Sequence, residues 1–150
     1  MGFVFTVEEQ KDLTLPEDSI HRAKLLEIKQ RTINWTNAEG PQSRDILEWW
    51  WEITHTNLGD EFVGRRVKGE CPAKITNASG NRFHNWAETL LGRQIPPGMN
   101  IDTDDLIGLQ AEISIGHRQD KKDASKIWEY VDEVLPVNAA FSLNDQAPPF

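Results

Sequence analysis

Between residues 45 and 56 the chain places a large apolar side chain at every second position. Leu47, Trp49, Trp51 and Ile53 share one face, and Glu48, Trp50, Glu52 and Thr54 share the other. A period of two belongs to a β-strand with one buried side, so Trp49 and Trp51 are core residues of a sheet and the chain must supply partner strands. Residues 20–33 mix alternation with β-branched side chains and form the first strand, and Asn37, Ala38, Glu39, Gly40 and Pro41 supply turn chemistry before the second. Asn57, Leu58, Gly59 and Asp60 close a hairpin into a third strand over 62–75, in which Gly64 and Gly69 mark bends or bulges.

The period then changes. Phe83, Trp86, Ala87, Leu90 and Leu91 recur at helical spacing after a polar break at 77–81, and Gly92 stands where a helix C-cap belongs. Asp102 to Gly108 read as a short acidic-capped turn, for which helix capping explains Asp102, Asp104 and Asp105 better than cation binding does. A fourth strand over 109–117 carries Leu109, Ala111, Ile113 and Ile115 on one face. A charged hairpin over 118–125 leads to a fifth strand over 127–137. The expected fold is mainly β: a five-stranded, OB-fold-like Greek-key barrel with a helix between strands three and four, plugging its open end. An arm at 1–19, with Phe3, Phe5 and Val7 alternating, packs loosely or adds an edge strand. A tail at 138–150 is expected to be disordered.

A chain of 150 residues is one domain and long enough for a core. Its formal charge of -8 and pI near 5.0 argue against a uniformly basic binder, although local patches rather than net charge decide such contacts. No apolar run reaches membrane-spanning length, the first residues lack the basic and apolar regions of a signal peptide, and the single cysteine, Cys71, fits a reducing cytoplasm. Cys71 is expected as a semi-buried small apolar residue. His21, His55, His84 and His117 are too dispersed for a metal set, and no phosphate-cradling glycine motif occurs, so neither a cofactor nor catalysis is implied.

An OB barrel binds single strands by stacking bases on aromatics while Lys and Arg follow the phosphates. Trp50 is a candidate platform because it lies opposite Trp49 and Trp51, although Glu48 and Glu52 on its face would repel phosphate. Trp35, after Lys29 and Arg31, stands at the mouth of the first long loop. Trp128, after Lys126, repeats the pairing of ring and base. Basic residues gather at Arg65, Arg66 and Lys68, with Lys74 beyond, and again at Arg118, Lys121, Lys122 and Lys126 in the hairpin that should flank the groove.

The segments 25–33, 67–75, 83–92 and 104–109, followed by a Pro148-Pro149-Phe150 end, together resemble the small OB-fold single-stranded DNA-binding proteins of phage replication modules. The resemblance implies sequence-independent binding of displaced strands in replication or recombination, without catalysis, in the host cytoplasm. It also implies a tail whose Phe150 ring and α-carboxylate dock partner proteins, with Pro148 and Pro149 stiffening the approach. The tail departs from the bacterial pattern in having only Asp145 among its last acidic positions. An alternative of another class is an acidic protein-interaction or anti-defence module that occupies a host protein's nucleic-acid site. Pairing of Phe3, Val4 and Phe5 between subunits would make a homo-oligomer.

Overall fold

The computed structural model describes residues 2–7, 13–123 and 125–137. The tail candidates Asp145, Pro148, Pro149 and Phe150 lie outside them. Five antiparallel strands form one open sheet in the order β3-β2-β1-β4-β5, and one α-helix follows β3. The strands are β1 (Ile20–Asn37), β2 (Gly40–His55), β3 (Arg66–Pro72), β4 (Gln110–Gln119) and β5 (Ile127–Leu135), and the helix is α1 (Arg82–Leu91). None of the described helices is long and apolar enough to cross a membrane.

β1 holds the sheet together. Its first five residues pair with β4, while Arg22 to Asn37 pair with β2 through two register shifts. Beyond Arg31, where the β2–β3 ladder ends at Ile46 and Pro72, the β1–β2 hairpin runs on as a two-stranded ribbon to a turn at Ala38 and Glu39. No long loop separates the first two strands. Trp35 is therefore a strand residue near the ribbon tip, paired with Gln42, rather than a loop-mouth residue.

Alternation predicts the core well. Leu47, Trp49, Trp51 and Ile53 are buried, and the Trp49 ring meets Phe83 and Trp86 of α1 edge-on at centroid distances of 5.8 and 5.3 Å. The helix starts where the Asn81 side chain accepts the His84 N–H and ends at Gly92, whose φ of 67° is the left-handed cap conformation. Asp102 likewise accepts the Asp104 N–H to cap the short turn Thr103–Asp105. Cys71 is fully buried and accepts the Trp49 indole N–H, and burial pushes its thiol up to about 11.

Two expectations fail locally. β3 is shorter than 62–75, because Asp60–Phe62 is a 3₁₀ turn and Gly64 bends the chain at φ 92°. Gly69 is not a bulge: the β2–β3 register runs through it without a shift. Its role is close approach, since a Cβ there would stand 2.6 Å from Trp86 Cη2 and 3.0 Å from Val131 Cβ.

Residues 13–19, just before β1, are tied down at Leu13 and Leu15. Leu15 is fully buried, its N–H donates to Glu129 Oε1, and its carbonyl accepts from His117 Nε2. Residues 2–7 join no ladder, and Phe3, Val4, Phe5 and Val7 are exposed. No ladder joins β3 to β5 among the described residues. Even so, the Arg65–Glu129 ion pair and the approach of Gly69 to Val131 bring the β3 side of the sheet against β5.

Candidate nucleic-acid interface

The outer face of β4 and β5 is built from cross-strand pairs. Arg118 opposes Trp128, and two residues along Gly116 opposes Tyr130. Because strand side chains alternate, Trp128 and Tyr130 point the same way, about 7 Å apart along β5. A groove of about 370 Å³ opens beside them, walled by Lys68 and Glu70 of β3, Arg82 of α1, and Arg118, Trp128 and Tyr130. A second depression of about 490 Å³, lined by Arg118, Asp120, Lys121, Lys122 and Trp128, lies under the β4–β5 loop. Arg118 and Trp128 belong to both, so the two form neighbouring halves of one path with an exposed indole at the junction.

The Trp128 ring is fixed on one edge and covered on one face. Its Nε1–H donates to Asp120 Oδ2 at 2.9 Å, and Lys126 Nζ stands 4.4 Å from the ring centroid. Asp120 Oδ1 accepts the Lys122 and Asp123 N–H groups, which makes the loop turn back on itself. The Trp128 hydrogen bond, followed by those two backbone bonds, holds the Asp120 carboxyl below the usual carboxylate range. Arg118 is a β4 residue, so the hairpin loop begins after it.

The other cations predicted from sequence fall into separate groups. Arg31 Nε donates to Glu48 at 2.9 Å and its Nη2 to Glu70 at 2.7 Å, while Lys68 Nζ donates to Glu48 at 3.1 Å. Burial alone would raise the Glu48 carboxyl, but Lys68 and Arg31 hold it below its ordinary range. Of the two carboxylates beside Trp50, Glu48 is thus paired with Lys68 and Arg31, and Glu52 stands 3.8 Å from Lys24 Nζ. Trp50 itself is half-buried beneath Lys68, whose Nζ is 5.7 Å from its ring. Lys29 pairs with Glu27 at 3.4 Å. Arg65 is committed to Glu129 and to the Leu13 carbonyl, which ties the sheet edge to the N-terminal segment. Arg66 and Lys74 are exposed but line neither half of the path. Trp35 stands apart on the ribbon with the Arg44 guanidinium 6.0 Å from its ring.

The structure therefore gathers Lys68, Arg118, Lys121, Lys122, Lys126 and Trp128 along the two depressions; Trp50 and Arg31 adjoin Lys68, directly and through Glu48, but line neither depression, as is true of Lys29, Trp35, Arg65, Arg66 and Lys74. It adds two residues that sequence reasoning missed. Tyr130 was signalled by its two-residue spacing from Trp128. Arg82, the first residue of α1, carried no such signal, because its place beside β3 depends on how the helix packs. Compared with protein-family models and with curated proteins, the sequence matches none.

Proposed function

We propose that this chain is a non-catalytic, largely sequence-independent single-stranded DNA-binding protein that uses an OB-type barrel, with α1 at its base, during phage replication or recombination in the host cytoplasm. The ladder order supports the barrel, as do the contacts that draw β3 and β5 together at Gly69, Val131, Arg65 and Glu129. The observation that carries the binding reading is Trp128: an exposed indole beside Arg118, at the junction of two depressions whose rims hold Lys68, Arg82, Lys121 and Lys122.

Capture begins with the cations, which displace counterions from phosphate. A base then stacks on the indole, a contact worth about 1–3 kcal/mol that any base can make. Trp35 and Arg44 on the ribbon offer a second, separate contact for a longer strand. The tail, through Phe150, recruits partner proteins in this reading.

Tryptophan-fluorescence titration with dT oligonucleotides of increasing length tests it. The expected result is quenching that saturates at a defined length and weakens with salt, by a slope of about 0.7 per phosphate engaged. Trp128→Ala should lose most of the affinity, Trp35→Ala less, and Trp50→Ala least. A flat response at low salt rejects the reading. The acidic interaction module would then stand, favoured by the exposed Asp102, Asp104 and Asp105 and tested by co-purification with a host protein.

A further inference from the structure

We propose that Trp128 is a latched and covered stacking platform, in which Asp120 is a positioning residue for the indole and Lys126 occupies the ring face that a base takes. This rests on the strand-binding reading and extends it to the order of events at the ring.

One loop supplies both parts. Asp120 spans the β4–β5 turn: its N–H donates to the Lys126 carbonyl at 2.9 Å, its Oδ1 receives two loop N–H groups, and its Oδ2 receives the indole N–H. Lys126 is held in turn by its own N–H on the Asp123 carbonyl at 3.0 Å. A ring bonded at its N–H to a carboxylate that is itself bonded to two amides has little freedom to swing away, so the platform is preorganised. A carboxylate near a phosphate path is otherwise unfavourable, and fixing Trp128 gives a reason for one at this position.

Lys126 lies over the π-face as an ammonium lies over any exposed aromatic. A stacking base needs that same face. Its arrival displaces Nζ, and the long, flexible lysine stem carries the charge outward to the phosphate attached to that base. The free protein thereby keeps the indole covered, and the ammonium exchanges a ring contact for a phosphate contact in one step. No bond is made or broken.

The test uses the full chain, dT oligonucleotide as probe, and three variants checked for cooperative unfolding. D120N keeps the turn and loses the latch: its one amide oxygen takes the place of Oδ1 on the two loop N–H groups, and its NH2 then faces the indole N–H, donor against donor. D123N sheds the same charge from the same loop and leaves the latch in place, since Asp123 receives Ser125 on Oδ1, as an amide oxygen also can. Both shed a negative charge, so D123N binds dT more tightly than the wild type, and D120N binds about fivefold more weakly than D123N, the effect of one lost hydrogen bond. In the free protein the Trp128 indole N–H resonance moves in D120N and stays near its native position in D123N. K126M keeps the stem and loses the charge, so its salt slope falls by about 0.7 while quenching persists. Equal affinities for D120N and D123N overturn the latch, and an unchanged slope for K126M overturns the cover. If D120N fails to fold, a wild-type Trp128 indole N–H that exchanges as fast as that of free tryptophan overturns the latch in its place. A wild-type protein that ignores dT overturns the strand-binding reading itself, which no pattern among the variants imitates.

Discussion

Gly116 on β4 and Tyr130 on β5 are cross-strand partners, and the phenol ring lies so close over the glycine that a Cβ there would stand 2.5 Å from its Cζ and 2.7 Å from its hydroxyl oxygen. The colliding group is the far end of a half-buried side chain that borders the groove, so Tyr130 can swing aside. Gly116→Ala should therefore cost less than about 1 kcal/mol of stability yet weaken binding of dT oligonucleotides, because the displaced ring enters the path. Gly69→Ala is the contrasting case. Its Cβ would strike Trp86, which is buried against Trp49, and nothing there can move outward. A loss of about 1–3 kcal/mol is expected, read by urea unfolding. Equal stability costs for the two variants would contradict this account.

The same two glycines show where sequence is informative. Period-two spacing identified the Trp49 and Trp51 face, and Asn81 and Gly92 bracket α1, because those signals are local: a strand face, a side-chain cap and a left-handed residue each act within a few positions. The ribbon beyond Arg31 is harder to read, because Asn34, Thr36 and Ser43 make one face polar while Ile33 and Trp35 on the other are half-buried and exposed, respectively, so neither face is a core face. Gly69 and Gly116 look alike in sequence, yet one faces a helix and the other a neighbouring ring. Arg22 and Glu112, 90 positions apart, are both buried, with Arg22 Nη2 3.6 Å from Glu112 Oε2. Charged residues are expected outside, and only the β1–β4 ladder reveals this pair.

Glu48 limits the charge available on the β1–β2–β3 face. It accepts from both Arg31 and Lys68, and Lys68 also lines the groove. Glu48→Gln removes the negative charge while keeping a hydrogen-bond acceptor, so it leaves Lys68 less committed. The expected outcome is tighter dT binding and a steeper salt dependence, by up to about 0.7 in slope for one further phosphate contact. Stability should change by no more than about 1 kcal/mol, since the pairs with Arg31 and Lys68 are partly exposed. Weaker binding in this variant would mean that Glu48 holds Lys68 in a productive position rather than competing for it.

His21 gives the fold a pH dependence. The ring is buried; its Nε2–H donates to Ser19 Oγ, which itself donates to the Pro16 carbonyl, and its Nδ1 accepts from Thr56 Oγ1. That network is complete with a neutral imidazole, and burial lowers the pKa from 6.5 to about 4. The unfolded chain therefore takes up the proton first. Stability is full above pH 6.5 and falls as the pH drops toward 4, by a total on the order of 3 kcal/mol. His21→Gln should flatten the dependence of the urea midpoint between pH 6.5 and 5, where carboxylates titrate little. A wild-type midpoint that stays constant across that interval would show that the ring is not held neutral.

Glu129 joins three parts of the chain. Its Oε2 receives Arg65, next to β3, and its Oε1 receives the N–H of fully buried Leu15, while β5 carries the residue itself. With the side chain almost fully buried, Glu129→Ala leaves a guanidinium and an amide without their acceptor, a change that costs about 3 kcal/mol or more. The loss should appear first at the N-terminal segment. Leu15 would keep only its carbonyl bond from His117, so hydrogen exchange at the Leu15 amide should accelerate well before global unfolding. Glu129→Gln keeps an acceptor for Leu15 but not the charge for Arg65, and it should slow that exchange relative to the alanine variant while recovering only part of the stability. If the Leu15 amide exchanged at the same rate in wild type and both variants, Glu129 would hold the seam without holding the segment.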